Sequence, residues 1–238
     1  MRTTDIVTCV FALFTALAVK GQGTFQNLNF ELANPISAGN PGNPYQVTFS
    51  TALPYWSGSI GGTPVSTVLL NSFDLGAASI DVFGPGWNSE NPGLLAGNYT
   101  LFLQSGAGPG GVGMLNTSIS QNGTIPVGTG SLIFTTWSWP SVNSAFSVSF
   151  AGNDLSVFAL SSGQLPSGQD YTEYGANLEG YAGQTGQLEF TSLFTGAPSW
   201  TEFDDITFSP NDVPEPSALG LILISVVAFA VRRWRPTA

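Results

Sequence analysis

Phe146-Ser147-Val148-Ser149-Phe150-Ala151-Gly152-Asn153-Asp154-Leu155-Ser156-Val157 is the stretch from which the fold class is read. Apolar and polar residues alternate on both sides of Ala151-Gly152-Asn153-Asp154, the period of a half-buried strand. A short Gly-Asn turn between two such runs predicts a hairpin, with Phe146, Val148 and Phe150 on one strand and Leu155 and Val157 on the other. The same texture extends outward in both directions. Short β-rich runs at 25–32, 46–50, 79–83, 99–104, 113–120, 131–137, 155–160, 187–191 and 203–209 are separated by Gly, Pro, Asn and Ser, and no long stretch keeps a helical period. One all-β sandwich domain over residues 22–209 is the natural reading, since such domains often run near 200 residues undivided.

Charge removes most chemistry from that domain. The 238 residues include 15 acidic and 5 basic side chains, no histidine and one cysteine. The basic residues Arg2, Lys20, Arg232, Arg233 and Arg235 all lie near the ends, as does Cys9. Between residues 22 and 212 there is no Lys, Arg, His or Cys, while every carboxylate except Asp5 and Glu215 falls there. With every carboxylate ionised the segment would carry a charge of about −13 at neutral pH. Nucleophilic triads, thiolate or imidazole metal sites, Schiff bases and arginine phosphate clamps are excluded within it. Nucleic acid is an unsuitable partner, because its affinity comes from cations that neutralise phosphates. Carboxylate and hydroxyl chemistry, oxygen-ligated cations and aromatic surfaces remain.

The ends read as addresses. Residues 6–19 form an almost unbroken apolar run behind Arg2, too short to span a bilayer comfortably, and small residues follow. This predicts an export leader over 1–21, with cleavage after Gly21 or two to three residues either way; Cys9 would leave with it. At the other end a short stem, 210–216, precedes the apolar run 218–231 and then Arg232-Arg233-Trp234-Arg235. As a helix, the stretch from Ser217 to Trp234 would reach about 27 Å, close to the hydrocarbon thickness of a membrane. A transmembrane helix with its basic tail is thus expected over 217–235. Arg232, Arg233 and Arg235 would stay cytoplasmic and place the acidic domain on the far side of the inner membrane.

Val213-Pro214-Glu215-Pro216 immediately before this span adds specificity. Motif, apolar run and arginine cluster, together covering 213–238, resemble the PEP-CTERM sorting signal that membrane-embedded exosortases recognise. The resemblance implies that Pro214, Glu215 and Pro216 are recognition residues, that an exosortase-type processing enzyme is a partner, and that the tail is removed. The precursor would be anchored in the inner membrane and the mature form placed at the cell surface or in the extracellular matrix.

Inside the body, Asn27-Leu28-Asn29-Phe30-Glu31 opens the domain, Leu53-Pro54-Tyr55-Trp56 follows a loop, and Phe203-Asp204-Asp205-Ile206-Thr207-Phe208 closes it. These segments resemble the galactose-binding-like jelly roll of many carbohydrate-binding modules. The resemblance implies neighbouring first and last strands and a structural calcium held by Glu31 and Asp205, with Asp204 as the alternative. Ca²⁺ takes six to eight oxygen ligands, and adjacent carboxylates in so acidic a chain would gain from a cation.

Aromatic residues point to the ligand. Trp139, Trp87, Trp56 and Tyr55, in or near loops, are candidates for stacking on the C–H faces of a polysaccharide, whereas Trp137 reads as core and Trp200 as closing one end. Asp170, Glu173, Glu179 and Glu189 fall in one region, but no spacing fixes two of them at a catalytic separation. Gly106-Ala107-Gly108-Pro109-Gly110-Gly111 fits a dinucleotide-loop pattern formally, yet a strand and not a helix is expected after it. The expectation is a non-enzymatic, exported, carbohydrate-binding surface protein. The alternatives are a purely structural acidic matrix or envelope component and a carboxylate-dependent glycoside hydrolase.

Overall fold

The computed structural model describes residues 23–89, 92–138 and 145–214. The predicted leader and membrane-spanning tail lie outside these residues, as do Trp139, Glu215, Pro216, Arg232, Arg233 and Arg235. Among the described residues no helix is long and apolar enough to cross a membrane.

In chain order the elements are β1 (Gln46–Thr48), α1 (Phe49–Ala52), β2 (Ser57–Ile60), β3 (Thr63–Pro64), β4 (Thr67–Leu70), β5 (Ser79–Phe83), β6 (Thr100–Ala107) and β7 (Met114–Leu115). There follow β8 (Thr117–Thr124), β9 (Ser131–Ser138), β10 (Phe146–Phe150), β11 (Asn153–Asp154), β12 (Val157–Gln164), β13 (Asp170–Asn177), β14 (Thr185–Ser192) and β15 (Ser199–Ser209). They form two sheets. The larger runs β1-β4-β5-β6-β15-β9-β13-β12, with β7 added beside β6, and the smaller runs β11-β10-β14-β8-β2-β3. Pairing is antiparallel except between β4 and β5. The architecture is the all-β sandwich expected from the alternation.

The hairpin forms as a two-residue turn. Ala151 and Gly152 both have positive φ, 51° and 77°, the combination that matches the twist of paired strands. Phe150 pairs with Asn153 and Ser149 with Asp154, and the Leu155 N–H donates to Val148 O. Val157 departs from the expectation. It opens β12 and pairs with Ala176 in the larger sheet, so the chain changes sheets at Ser156. Further along, β12 is broken by a bulge between Ala159 and Ser161.

The predicted strand at 25–32 is corrected. Asn27 and Phe30 have φ of 52° and 57°, and the segment runs as successive turns, with Phe30 N–H donating to Asn27 O and Ala33 N–H to Phe30 O. Turning lets Phe25, Leu28 and Phe30 all face inward at 0–1% exposure, which the strict alternation of a strand forbids. Asn27 holds the turn: its Oδ1 accepts from Leu32 N–H at 2.9 Å and its Nδ2 donates to Pro54 O at 3.2 Å. The opening segment still lies beside the last strand, through Ile206 N–H to Leu28 O and a Phe25–Phe208 ring contact at 5.5 Å.

The core between the sheets is aromatic. Phe190 on β14 meets Phe134 on β9 and Phe203 on β15, each at 5.3 Å, and Trp56 at 6.3 Å, all edge-on. Such pairs contribute about 0.5–1.5 kcal/mol each beyond area burial. Close approach is needed where β2 crosses: a Cβ on Gly58 would sit 2.3 Å from Phe49 and 2.6 Å from Ile80.

Candidate functional site

Alternation along β5, β6, β9 and β15 sends Ile80, Leu101, Phe134 and Phe203 into the core, so their neighbours occupy the opposite face of the larger sheet. On that face the register sets Asp81, Phe102, Glu202 and Trp137 directly opposite one another across β5, β6, β15 and β9. The adjacent row is Ser79, Gln104 and Trp200. Asp81 and Glu202 are thus two interstrand spacings apart, about 10 Å, with Phe102 between them.

An aromatic cover closes this face. Phe83, Leu95, Phe102 and Trp137 are buried, with Phe73, Trp87, Leu94, Leu165, Tyr171 and Trp200 packed on them as a second cluster. Trp87 stacks on Phe83 at 4.2 Å and 8°, and its indole N–H donates to Pro92 O. Gln104 Nε2 donates to the carbonyls of Asp74 and Ala77, fastening the 71–78 loop.

Beneath the cover, Asp81 and Glu202 are fully buried. Asp81 Oδ2 accepts from Ser79 Oγ at 2.7 Å, and Glu202 Oε2 accepts from Gln169 Nε2 at 2.6 Å. Asp81 Oδ1, Glu202 Oε1, Gln104 Oε1 and Gln169 Oε1 have no hydrogen-bond partner among the described residues. Desolvation pushes both carboxyls well above the usual carboxylate range, against the Ser79 and Gln169 hydrogen bonds and with small additions from Asp74 and Asp204. The face therefore presents uncharged carboxyl and carboxamide groups set among rings.

Asp204 extends the face towards the opening turn. Its Oδ2 accepts from Thr100 Oγ1 at 2.7 Å and its Oδ1 from Asp205 N–H at 2.8 Å. Burial raises its carboxyl to about 8, with the two hydrogen bonds opposing and the charges of Asp205 and Glu31 adding to the rise. Glu31 differs: desolvation is outweighed by hydrogen bonds from the Asn98 side chain and the Tyr99 and Asn98 N–H groups at 2.7–2.9 Å, which hold it below the usual range. Asp205, at φ 49°, occupies a bulge where β15 shifts register between Asp204 and Thr207, and it is exposed. Among the described residues no three His, Cys, Asp or Glu side chains gather as a metal cluster.

The nominated aromatic residues separate. Trp56 is a core residue, 5% exposed, with its indole N–H donating to Asn27 O, and is closed to a ligand. Trp87 belongs to the cover. Tyr55 stands 58% exposed at φ 73°, a left-handed backbone that an aromatic residue adopts only under constraint. Trp137 is core, of the second cluster, while Trp200 lies within β15 instead of preceding it. Sequence reasoning passed over Asp81 and Glu202. A signal was present: each alternates with an aromatic residue, Phe83 or Trp200, on a face that a solvated carboxylate would not share.

No protein-family model matches the sequence, and none of the curated proteins does. Among solved structures, TmCBM61 in complex with β-1,4-galactotriose is similar at 17% identity and a TM-score of 0.43, over 79% of this chain and 99% of that one. The enzymatically active domain of tailspike protein 4 of bacteriophage CBA120 is similar at 12% identity and a TM-score of 0.39, over 79% of this chain and 21% of that one.

Proposed function

We propose that this chain is an exported, exosortase-sorted protein of the cell surface or extracellular matrix, whose body is a non-enzymatic carbohydrate-binding domain of the galactose-binding-like, jelly-roll kind. The observation that carries the binding reading is the row of unpaired carboxyl and carboxamide oxygens set among aromatic rings on the outer face of the larger sheet. Their complement is an uncharged ligand rich in hydroxyl donors and C–H faces, which describes a polysaccharide. Binding there requires the Trp87 loop to move aside. Retention on insoluble polysaccharides and glycan arrays tests this. Trp87→Ala should weaken retention, and unchanged retention overturns the assignment of the face; Trp139→Ala tests separately the other ring nominated from the sequence.

The complete burial of Asp81 and Glu202 favours a second reading, a structural matrix component in which the cluster is a second core. Failure of the intact chain to be retained on any glycan selects it. We also propose a structural calcium at the Glu31, Asp204 and Asp205 corner. It is supported by the negative field that Asp205 and Glu31 place on Asp204, which a divalent cation would relieve. For sorting, Pro214→Ala or Glu215→Ala should leave unprocessed protein in the inner membrane, and normal release refutes that part.

A further inference from the structure

The stem read as a linker before the sorting motif is bound to the body as far as Val213. Gly130 N–H donates to Ser209 O at 2.8 Å and Ser131 Oγ to Asn211 O at 2.7 Å. Asn177, at the end of β13, then grips Val213 from both sides of its backbone. Val213 N–H donates to Asn177 Oδ1 at 2.7 Å, and Asn177 Nδ2 donates to Val213 O at 3.1 Å. The carboxamide thus imitates the paired edge of a neighbouring strand. The Val213 side chain is 5% exposed. Its slot exists because residue 175 is glycine: a Cβ there would lie 2.5 Å from Val213 Cγ1 and 2.9 Å from Leu160 Cδ1. Pro214, the next residue, is exposed.

We propose that this clasp fixes the carboxyl-terminal boundary of the mature protein, so that processing takes place on the carboxyl side of Pro214. The proposal rests on the sorting reading above, since it concerns where that processing acts. Proteases take their substrates as extended strands and bind the backbone groups on either side of the bond they cut. With both backbone groups of Val213 occupied, the Asp212–Val213 bond is presented only after local opening. Hydrolysis, in which water gives its hydroxyl to the carbonyl carbon and a proton to the leaving nitrogen, therefore falls beyond the clasp, from Pro214 onward. Asn177 and Gly175 act as positioning residues.

Two measurements test this. In the first, the full-length chain in detergent is exposed to a protease that cuts before large apolar residues, and cleavage at Asp212–Val213 is followed by mass spectrometry. Asn177→Ala removes two hydrogen bonds and should raise the rate about tenfold to thirtyfold. Asn177→Asp keeps the acceptor and should fall between. Gly175→Val should release Val213 with Asn177 intact, and a thermal melt on each variant confirms a folded body. Equal rates in the folded variants and the natural chain overturn the clasp. In the second, the intact mass of the released product in the exporting cell is read. The natural chain should end at or beyond Pro214, because Val213 O, the carbonyl of the Val213–Pro214 bond, is also held, and the Asn177→Ala product should have shortened or ragged ends; a natural end at Val213 or before it overturns the proposal. Glu215→Ala, run in parallel, reports on sorting alone: normal release of that variant would sink the sorting reading while the protease assay still decides the clasp.

Discussion

Asn27→Ala isolates the turn that replaces the expected first strand. Asn27 is 4% exposed, and its carboxamide makes two hydrogen bonds, to Leu32 N–H and Pro54 O. Each such bond is worth about 1 kcal/mol net. Its φ of 52° is left-handed, which costs an alanine about 1 kcal/mol more than it costs asparagine. The sum is about 3 kcal/mol of lost stability, roughly 6–12 °C in melting temperature for a domain of this size. Asn27→Gly should recover the backbone part and lose about 2 kcal/mol, because glycine tolerates the left-handed region. Urea unfolding of the natural chain and both variants, with unchanged slopes, measures this. The reasoning fails if alanine lies within about 0.5 kcal/mol of the natural chain, or if glycine is as damaging as alanine.

The three raised carboxyls predict an acid-stable domain. Asp81, Glu202 and Asp204 bind protons more tightly folded than unfolded, so their contribution is full below about pH 4 and is lost as pH rises through their folded values, about 8 for Asp204. For Asp204 that interval corresponds to about 5 kcal/mol, read as the drop in unfolding free energy between pH 4 and 9 in chelator. Asp204→Asn should flatten its share of the slope; a profile that rises with pH across this range contradicts the buried neutral carboxyls. Millimolar calcium should flatten the natural profile and raise the melting temperature at pH 8, and an unchanged midpoint counts against the proposed calcium corner. Gly58→Ala should cost about 1–3 kcal/mol by overpacking against Phe49 and Ile80, and a neutral result would mean that β2 can shift.

Much of the sandwich was legible because alternation is a local signal. The runs at β5, β9, β10 and β14 each place apolar side chains on one face, and each forms a strand where expected. The strands that escaped notice are those whose partners supply the reason for pairing. Ser57-Gly58-Ser59-Ile60 has little apolar content, yet it pairs with Ser120 through Thr117 on β8, and its glycine admits Phe49. In 25–32 the apolar spacing imitated a strand, because a turn with two left-handed residues can also aim every apolar side chain inward. Of the residues described at the site, Glu31, Asp204, Asp205 and Trp87 were nominated from the sequence, and Asp81 and Glu202 were not. Asp81 and Glu202 are joined by register across three strands, a relation between residues more than a hundred positions apart that no window of sequence contains.

The margins of both sheets bear on how such a protein behaves at high concentration. β1 has three residues, β11 two, β3 two with Pro64 as one of them, and the long margin β12 is interrupted by its bulge at Ala159–Ser161. Short, proline-bearing and bulged margins give an incoming strand no continuous template. Every copy also repels its neighbours, because the body between residues 22 and 212 has carboxylates and no cationic side chain to pair with them. The molecule is therefore built to be packed densely without polymerising through its own sheets.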